Sequence, residues 1–505
     1  MGKAYFMGID IGTFESKGAL VDANARVIAS HAVPHNMESP KPGYAEHDAE
    51  KTWWGEFCTI SNKLIQDSGV SPSDIKAVGC STIGPCCLPV DEKCNPLRKA
   101  ILYGIDVRAS EEISFLQNHY GKESIFKKCG TDVTSQSAAA KILWIKNNEP
   151  EIYKKAAKFI TGQTYLVAKL TGNYVIDRYT AATFVPIYNM ETNDWDYDNL
   201  GLFCRADQLA ECKWTHEVSG GVTAGAAKAT GLSDGTPVIA GSADAGSEAL
   251  SVGVFDPGDM LLMYGSSIFI IHVVEKFTVD KRLWAGPYLF PGTYAVAAGM
   301  STTGTLTKWF RDNFAKDLLQ LQEDGRANAY ALLAQEAGAV PPGSEGLTVL
   351  PYFSGERTPI NDPKAKGVVF GLNLLHTRAH VYRACLEGVG YGIAQHFDIF
   401  DEKGMGTKKV MAVGGGTKND VWLQAVSDIS GKTQHIAQEA IGAAYGDALL
   451  AALGIGFYKD SKAVSEVIRH KKTIVPDPKN TQLYKAYKER YDKLYQLTKD
   501  LMHTF

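Results

Sequence analysis

The sequence predicts an α/β protein of two large domains, or of three small ones, and three observations support this. The chain has 505 residues, too many for one core when a domain holds about 150. Strand-like apolar runs alternate along it with stretches of helical spacing. A strand, a turn of glycine and hydroxyl residues and a second strand occur together at 5–22 and again at 259–274. One such hairpin in each half predicts duplicated domains that grip one ligand between them; two unrelated hairpins are the alternative.

The turn of the first hairpin is a candidate phosphate site. Gly12 lets the backbone come close to a ligand, and the N–H groups of the turn, with the hydroxyls of Thr13 and Ser16, can hold phosphate oxygens. Asp10, on the strand before the turn, points a carboxylate at the same place and can hold Mg²⁺ through water. The second strand is predicted to continue through Val27-Ile-Ala. The alternative is an ordinary hairpin turn.

A second candidate site is the stretch Gly241-Ser-Ala-Asp-Ala-Gly-Ser-Glu248. It follows the short apolar run Thr236–Gly241, which predicts a buried strand. Asp244 at the C-terminal end of that strand is a candidate base, and a helix is predicted from there to about Leu250. The alternative is a turn aspartate that caps this helix.

Small and charged residues follow the predicted strand Ile75–Ser81. The segment from Ser81 to Cys87 is a wall of small residues. Ile101–Arg108 is predicted as a further strand whose end carries Asp106 and Arg108 on one face, because strand side chains alternate with period two. A solvated salt bridge is the alternative for this pair.

The second half contains a glycine-rich segment at Lys409–Asp420, which predicts a strand, a loop and a helix start. Its three glycines, beginning at Gly414, leave room for something flat or phosphorylated against bare backbone. The alternative, a tight strand-to-helix turn, needs only one glycine. A helix of small residues is predicted at Glu439–Leu449, able to lie close to this loop.

Composition excludes several classes of protein. The net charge is -4, with 45% hydrophobic and 21% charged residues, so nucleic acid and anionic membranes are poor partners. The nine cysteines are scattered without paired spacing, which predicts neither a disulfide framework nor a zinc site and suggests a reducing cytoplasm. The N-terminus lacks the pattern of a signal peptide, and no apolar stretch is long enough to cross a bilayer. We therefore expect a cytoplasmic protein.

These motifs resemble the FGGY family of carbohydrate kinases over nearly the whole length. The most specific match is Gly367-Val-Val-Phe-Gly-Leu, seven residues and His380-Val-Tyr-Arg-Ala-Cys-Leu-Glu387, which is similar to the family's second signature apart from Cys385. Lys141-Ile-Leu-Trp-Ile-Lys-Asn-Asn is similar to the core of the first signature. The other matching segments are Gly8-Ile-Asp-Ile-Gly-Thr13, Asp244, Gly265-Ser266 and Gly414-Gly-Gly416.

The resemblance implies two domains of the ribonuclease-H/actin-like ATPase fold, each a mixed sheet flanked by helices, with an interdomain cleft as active site. We expect 1–246 to form the sugar and phosphate side and 247–505 the nucleotide side. The implied reaction is ATP-dependent phosphorylation of a sugar or polyol hydroxyl, which needs positioning and charge neutralisation more than covalent chemistry. A ketopentose such as xylulose is the expected substrate, with glycerol, erythritol, ribulose, gluconate or a deoxy-ketose as alternatives. The sequence leaves open whether the protein forms a homodimer.

The resemblance also implies roles for individual residues. Asp244 would take the proton of the attacking hydroxyl as general base, and Asp10 would bind Mg²⁺. Phosphates of ATP would be held by Gly12, Thr13, Ser16, Lys17 and Ser266. The ribose and adenine would be lined by Gly304, Gly414, Gly415 and Asn419, with Ala443 packing nearby.

The sugar pocket departs from the family pattern. Where xylulokinases carry Gln-Met-His-Gly this chain reads Ile83-Gly-Pro-Cys86, and where they follow the base with Asn it has Ala245. Glycerol kinase's Gln-Arg-Glu is also absent. The expected substrate contacts are Gly84, Pro85, Ala245, Asp244 and Asp106. Asp106 resembles the acid of a Trp-x-Asp-x-Arg segment. A pocket without the family's hydrogen-bonding side chains cannot distinguish sugars by the pattern of their hydroxyls as the family usually does. Because the walls are smaller, we favour a longer or bulkier substrate.

Two other classes of protein compete with a kinase. An actin- or Hsp70-like nucleotide switch would need a substrate-binding domain or a filament surface, and no such segment is expected after residue 470. A catalytically silent sugar-binding regulator is kept open by the altered pocket, although the retained Asp10, Thr13 and Asp244 argue against it.

Overall fold

The computed structural model describes residues 3–439 and 441–504. The strands are β1 (Tyr5–Ile11), β2 (Glu15–Asp22), β3 (Val27–Pro34), β4 (Glu46–His47), β5 (Ile75–Thr82), β6 (Leu88–Val90), β7 (Ala100–Ile101), β8 (Lys158–Ile160), β9 (Val175–Asp177), β10 (Tyr188–Asn189), β11 (Asp194–Trp195), β12 (Glu211–Lys213), β13 (Val218–Gly221), β14 (Pro237–Ile239), β15 (Ser242–Ala243), β16 (Asp259–Tyr264), β17 (Ile268–Val274), β18 (Trp284–Pro287), β19 (Tyr294–Met300), β20 (Thr348–Leu350), β21 (Val368–Phe370), β22 (Lys409–Val413), β23 (Gln434–Ala437) and β24 (His470–Ile474).

The α-helices are α1 (Gly55–Ser68), α2 (Ser110–Tyr120), α3 (Lys122–Cys129), α4 (Ala138–Asn148), α5 (Pro150–Lys155), α6 (Gly162–Thr171), α7 (Arg178–Ala181), α8 (Ala224–Thr230), α9 (Asp244–Ser251), α10 (Gly304–Phe314), α11 (Lys316–Glu323), α12 (Ala329–Gly338), α13 (Arg378–Glu402), α14 (Asp420–Ser430), α15 (Ala443–Gly454), α16 (Ser461–Val467) and α17 (Pro478–Met502). Within the described residues, none of these helices is both long enough and apolar enough to span a membrane.

The chain divides into two compact units that alternate along the sequence. The first comprises the chain up to Pro257 with Val273–Ala295 and Glu439–Ile468, and the second comprises the remaining segments. This arrangement differs from the predicted single division between residues 246 and 247. The reason is that α15 comes late in the chain but packs against β1, β5 and α9 of the first unit.

The first unit is built on a mixed sheet with the strand order β13-β14-β5-β1-β2-β3, and β15 also pairs with β5. β1 runs antiparallel to β2 and parallel to β5. β5 is central and is buried at nearly every position, the pattern of a strand covered on both faces.

Two helices cover the faces of this sheet at glycines. A Cβ at Gly8 would overlap the backbone oxygen of Ala444, so α15 lies directly on the strand there. A Cβ at Gly18 would overlap the side chain of Ile60 in α1. Gly18 pairs with Ile9 across the hairpin, so it lies on the face opposite to Gly8. The sheet is therefore sandwiched between α15 and α1.

The first hairpin differs from its prediction in one respect. The second strand ends at Asp22 and a separate strand, β3, begins at Val27. The Asp22 carboxylate accepts the N–H groups of Asn24 at 2.8 Å and Arg26 at 2.9 Å, and Ala25 has a φ of 58°. This local hydrogen bonding produces a turn where apolar composition alone predicted a continuous strand.

The predicted strand Ile101–Arg108 is also wrong beyond its first residue. β7 ends at Ile101, and the backbone then turns. Gly104 bonds through its N–H to the side chain of Gln136 and through its carbonyl to the hydroxyl of Ser135, rather than to a neighbouring strand. Asp106 and Arg108 are therefore placed by a loop, not by strand alternation.

The second unit repeats the design of the first. Its strands run in the order β19-β17-β16-β22-β23-β24. β16 is antiparallel to β17 and parallel to β22, just as β1 is antiparallel to β2 and parallel to β5. The long helix α13 meets β20 where a Cβ at Gly388 would overlap the backbone oxygen of Val349.

Candidate active site

Asp244 is the first residue of α9, directly after β15. β15 pairs with β5 in parallel, with Ser242 opposite Ser81, so Asp244 lies beside the C-terminal end of β5. Its Oδ1 accepts the N–H of Ala245 at 2.7 Å. The N-cap position belongs to Ala243, which has no side-chain oxygen, so Asp244 is not the capping aspartate of the alternative interpretation.

Several acids of the first unit lie close enough to influence one another. Desolvation raises the pKa of Asp244 to about 6. Desolvation and then the charge of Asp244 raise the pKa of Asp10 well above its ordinary value, and they raise the pKa of Glu248 to about 7. Carboxylates that repel one another in this way favour a cation among them.

Asp10 fits the role predicted for it towards Mg²⁺. Its carboxylate is partly exposed at the end of β1, and oxygen donors of this kind suit a cation that keeps much of its water. In residues 3–439 and 441–504, no group of three or more His, Cys, Asp or Glu side chains is arranged to hold a metal ion.

Asp447 is a buried acid that sequence reasoning missed. Its Oδ2 lies 2.6 Å from Ser81 Oγ, which in turn lies 2.9 Å from Asp10 Oδ1, and Ser247 Oγ donates to Asp447 Oδ1 at 2.6 Å. Burial raises the pKa of Asp447 to about 8. Ser81 has one proton and cannot donate to both acids, so a protonated Asp447 donates to Ser81, which donates to Asp10. The signal available in the sequence was an acid within the apolar helix Ala443–Gly454.

Two histidines hold the turn of the first hairpin. His35 Nε2 donates to the carbonyl of Gly12 at 3.1 Å, and His47 Nε2 donates to the carbonyl of Thr13 at 3.2 Å. Burial lowers the pKa of His47 to about 4, so this ring is neutral, and its Nδ1 accepts the indole N–H of Trp53 at 3.2 Å. The carbonyls of the turn are therefore fixed from behind, and its N–H groups keep one orientation. No local motif near residue 12 indicated these partners.

Ser16 and Lys17 are not equivalent members of a phosphate site. They are neighbours in β2, so their side chains lie on opposite faces, with Ser16 buried and Lys17 exposed. Ser16 Oγ donates to Glu56 Oε2 at 2.6 Å, an atom that also bonds His35 Nδ1 at 2.9 Å. The structure thus gives Ser16 a different role from the predicted one: it anchors the carboxylate that binds His35. Lys17 stays accessible and pairs with Glu15 at 3.0 Å.

Asp106 is engaged inside the protein. It is 1% exposed, and its carboxylate accepts from Arg108 Nη2 at 2.7 Å and from the N–H of Ala45 at 2.7 Å. The guanidinium of Arg108 also lies 4.1 Å from the ring centroid of Tyr44. This geometry favours the salt-bridge alternative over a substrate contact, and the salt bridge is buried rather than solvated.

The predicted sugar wall does lie near Asp244. A Cβ at Gly84 would stand 3.0 Å from the Cβ of Ala243, so the Gly84-Pro85 segment lies against the residue that precedes Asp244. Ile83 and Cys86 are buried side chains on either side of it. Tyr103 is close as well, since its hydroxyl lies 3.2 Å from Thr13 Oγ1. Ala245 is partly exposed next to the acid.

The second unit contains a cavity of about 740 Å³, a volume suited to a small-molecule ligand. Four residues predicted for the nucleotide line it: Ser266, Gly304, Gly415 and Asn419. Sequence reasoning missed further lining residues, among them Lys308, Asn328, Tyr330, Tyr382, Lys418 and Trp422. Tyr382 lies within the second family signature, Lys418 lies within the glycine-rich segment 409–420 and Trp422 follows that segment, so these three carried a local signal.

The glycines of this cavity have separate functions. A Cβ at Gly304 would overlap the carbonyl oxygen of Gly265, whereas a Cβ at Gly415 would meet nothing within 4 Å. Gly415 therefore opens bare backbone to the cavity. Gly414 has a φ of 92°, and a Cβ there would stand 2.6 Å from the oxygen of Tyr264. It serves the turn itself and is not among the lining residues.

The packing of Ala443 near the nucleotide stays a prediction. Ala443 begins α15, which lies on β1 and β5 within the first unit. The predicted helix 439–449 therefore starts at residue 443, and residue 440 lies outside the described residues.

Comparisons with known proteins agree with this geometry. Residues 5–251 match the N-terminal domain, and residues 260–455 the C-terminal domain, of the FGGY family of carbohydrate kinases. Xylulose kinase of Bacillus subtilis (strain 168) is 29% identical over 507 residues, with 98% of each chain covered. Gluconokinase of the same strain is 27% identical over 468 residues, covering 92% of this chain and 90% of its own.

The crystal structure of xylulose kinase from Rhodospirillum rubrum superposes with a TM-score of 0.91 and 31% identity, covering 99% of this chain and 100% of that one. This confirms the predicted fold class, two mixed-sheet domains of the actin-like ATPase type flanked by helices. The chain therefore belongs to the FGGY family of carbohydrate kinases and is an enzyme with sugar kinase activity.

Proposed function

We propose that this enzyme transfers the γ-phosphoryl group of ATP to a hydroxyl of a five-carbon ketose such as xylulose, with Asp244 as the general base. The observation that carries this proposal is the position of Asp244. It begins α9 at the end of the central strands, it is not used as a cap, and desolvation raises its pKa to about 6. A base with a pKa near the working pH is both ionised and able to accept a proton.

In the proposed reaction the substrate hydroxyl donates its proton to the Asp244 carboxylate while its oxygen attacks the γ-phosphorus. The bond from that phosphorus to the bridging oxygen breaks, and ADP leaves with the bonding electrons. Chain residues contribute by orientation, because phosphoryl transfer depends on positioning and charge stabilisation. His35 and His47 fix the carbonyls of Gly12 and Thr13, so the N–H groups of Thr13 and Phe14, which share those peptide planes, keep one orientation.

Nucleotide binding is proposed for both units. The base and ribose would bind the cavity of the second unit, lined by Ser266, Gly304, Gly415 and Asn419. The phosphates would bind the turn Gly12-Thr13, with Lys17 as an accessible cation. Asp10 would hold Mg²⁺, which supplies charge neutralisation on the phosphates when bound.

Xylulose is proposed from the likeness to xylulose kinases at 29 and 31% identity. The wall formed by Ile83-Gly-Pro-Cys86 favours a second candidate, a substrate larger than a ketopentose. The side chains of Ile83 and Cys86 are buried, so this wall offers backbone and small apolar surface. The likeness to gluconokinase at 27% identity makes gluconate the first such substrate to test.

The test is ADP release, measured with a coupled assay, from the purified chain, Mg-ATP and a panel of xylulose, ribulose, erythritol, glycerol and gluconate. We expect kcat/KM to be highest for one member and ATP hydrolysis to be low without it. Highest activity with gluconate would replace the ketopentose. Sugar binding in calorimetry without phosphorylation of any member would overturn the kinase proposal in favour of a silent regulator.

We also propose a cytoplasmic location, where ATP is supplied.

A further inference from the structure

Three buried polar residues lie between Asp10 and the helix that carries Asp244. The Asp447 carboxylate is placed between two hydroxyls, because its Oδ2 is 2.6 Å from Ser81 Oγ and its Oδ1 is 2.6 Å from Ser247 Oγ. Ser81 Oγ is in turn 2.9 Å from Asp10 Oδ1. Asp447, Ser81 and Ser247 are fully buried, and all three belong to the first unit. We call these three residues the polar link.

The strands β1 and β5 bring Asp10 and Ser81 to the helix α15. These two residues are opposite each other in the parallel pairing, and Gly8 and Gly79 are opposite each other two residues earlier. Side chains two residues apart lie on the same face of a sheet, so all four positions face α15. A Cβ at Gly8 would stand 2.9 Å from the Cβ of Asp447, and one at Gly79 would overlap its backbone oxygen. The two glycines thus let the helix come close enough for Asp447 to reach Ser81.

The helix α9 brings Ser247 to the same carboxylate. Asp244 is the first residue of α9 and Ser247 follows three positions later, so both side chains lie on one face of the helix. The helices α9 and α15 approach closely there, because a Cβ at Gly446 would overlap the backbone oxygen of Ser247. The polar link therefore connects the helix that carries Asp244 with the strand that carries Asp10.

Packing alone does not explain an acid at this position. Among the ten consecutive buried residues 443–452 of α15, Asp447 is the only carboxylic acid. Burying an acid has a cost that its hydrogen bonds offset only in part, and an apolar side chain is often at least as stabilising. Each oxygen of Asp447 has a serine partner, so the carboxyl group is fully engaged in holding these two hydroxyls. Its location indicates a role in the arrangement of the site and not in the stability of the fold.

We propose that Asp447 is a positioning residue that sets the placement of Asp10 relative to Asp244. Through Ser81 it orients the Asp10 carboxylate towards Mg²⁺. Through Ser247 it fixes the first turn of α9, which begins at Asp244. Phosphoryl transfer depends on such placement, because small displacements of the reacting groups lower the rate. This inference rests on the roles proposed above for Asp10 and Asp244.

The test uses one readout for each end of the polar link. Binding of Mn²⁺ to the full chain, measured by electron paramagnetic resonance with a non-hydrolysable ATP analogue present, reports the Asp10 end. The kcat at saturating Mg-ATP and sugar reports the Asp244 end. Ser81→Ala should weaken Mn²⁺ binding about fivefold with a smaller change in kcat, since the loss of one hydrogen bond has about this effect. Ser247→Ala should lower kcat about fivefold for the same reason and leave Mn²⁺ binding unchanged.

Asp447→Ala should impair both readouts, because it releases both serines. In Asp447→Asn the amide nitrogen can donate to Ser81 while the amide oxygen accepts from Ser247, so this variant should restore both readouts to nearly wild-type values. The matched control is Ser251→Ala. Ser251 is a buried serine of α9 whose hydroxyl bonds the carbonyl of Glu248 instead, so its loss should change neither readout. If Asp447→Ala does not fold, the two serine variants still test each end separately.

Asp10→Asn separates this inference from the proposed function. It should weaken Mn²⁺ binding more than Ser81→Ala does; if it has no effect, the proposed role of Asp10 is wrong and the inference is overturned with it. If Asp10→Asn weakens binding but the Ser81 and Asp447 variants do not, the role of Asp10 stands and only the inference is overturned. The same conclusion follows if Asp447→Asn is as impaired as Asp447→Ala, or if the two serine variants change both readouts equally.

Discussion

Asp244 and Asp447 show how their surroundings set the charge of two acids in one unit. Asp244 is partly exposed beside the end of β5, and desolvation raises its pKa to about 6. Asp447 is fully buried between two serine hydroxyls, and burial raises its pKa to about 8. At neutral pH the first is ionised and can accept a proton, whereas the second keeps one and donates it to Ser81. The two acids therefore differ in function because they differ in solvation.

Asp244→Asn should lower kcat by about 10²–10⁴, since loss of a general base costs this much, while ATP still binds. In the wild type, kcat should fall about tenfold per pH unit below a pH near 6, because the base is protonated there. Steady-state rates between pH 5 and 8 measure both effects, and calorimetry with ATP serves as the control for an intact site. A variant that turns over within tenfold of the wild type would remove Asp244 from the mechanism.

Asp447→Asn should make stability less dependent on pH. With a folded-state pKa of about 8, against 3.8 ordinarily, folded wild type holds a proton that the unfolded chain lacks between about pH 4 and 8. The free energy of unfolding should therefore fall as pH rises through this interval, by roughly 1 kcal/mol per pH unit. Asn cannot ionise, so the contribution of Asp447 to this dependence should disappear, while that of the other acids with raised pKa values, such as Glu248, remains. Thermal unfolding of both proteins at pH 5, 6.5 and 8 tests it, and parallel pH profiles would contradict the protonated state of Asp447.

The turn between β1 and β2 is an element whose position depends on side chains from elsewhere in the chain. His35 bonds Gly12, and His47 bonds Thr13. Burial disfavours the charged form of His35, but the hydrogen bond to Glu56, the charge of that carboxylate and the bonds to the turn carbonyls together outweigh burial and raise the pKa of His35. A flexible turn of glycine and threonine is thereby held in one conformation before any phosphate arrives, which lowers the entropy lost on binding.

His47→Ala should raise the KM for ATP about fivefold with a smaller change in kcat. The substitution removes one part-buried hydrogen bond, worth about 1 kcal/mol, from the back of the turn, and it also removes the acceptor of the Trp53 indole N–H. His47→Gln, whose amide can still donate to Thr13, should recover much of the loss. His31→Ala, in β3 of the same sheet, is the matched control and should leave the KM unchanged. Equal effects of His47→Ala and His31→Ala would mean that the turn does not depend on this contact.

At the scale of the whole molecule, the two units repeat one design but are not consecutive in sequence. Each contains an antiparallel hairpin joined to a parallel strand, β2-β1-β5 and β17-β16-β22. The first unit is completed only by Glu439–Ile468, whose α15 covers one face of its sheet. α15 also lies in close contact with α9, since a Cβ at Gly446 of α15 would overlap the backbone oxygen of Ser247 in α9.

A fragment that ends at Pro257 should therefore fail to fold cooperatively. It lacks α15, so the face of the sheet around Gly8 would be exposed to water. We expect dye binding to exposed apolar surface and a broad thermal transition, and a sharper transition when residues 439–468 are co-expressed as a separate peptide. The full chain is the control. A cooperative transition of the fragment alone, equal with and without the peptide, would show that 1–257 is an independent folding unit.

The sequence by itself determined the features that depend on local pattern. It placed the two hairpins and the start of a helix at Asp244, because strand alternation, helical spacing and glycine positions are properties of neighbouring residues. The resemblance to the family supplied the cavity residues Gly304 and Gly415.

Only the tertiary structure decided which of these residues are available to a ligand. Ser16 donates a hydrogen bond to Glu56, although the sequence analysis placed it among the phosphate ligands. Asp106 accepts from Arg108 and Ala45, although the sequence analysis placed it among the substrate contacts. Asp447 is hydrogen-bonded to Ser81, although the two residues are 366 positions apart in the sequence. Contacts of this kind leave no periodic trace in the chain. They arise because a buried polar group must find a partner, and the partner is whichever residue the packing of sheets and helices brings within reach.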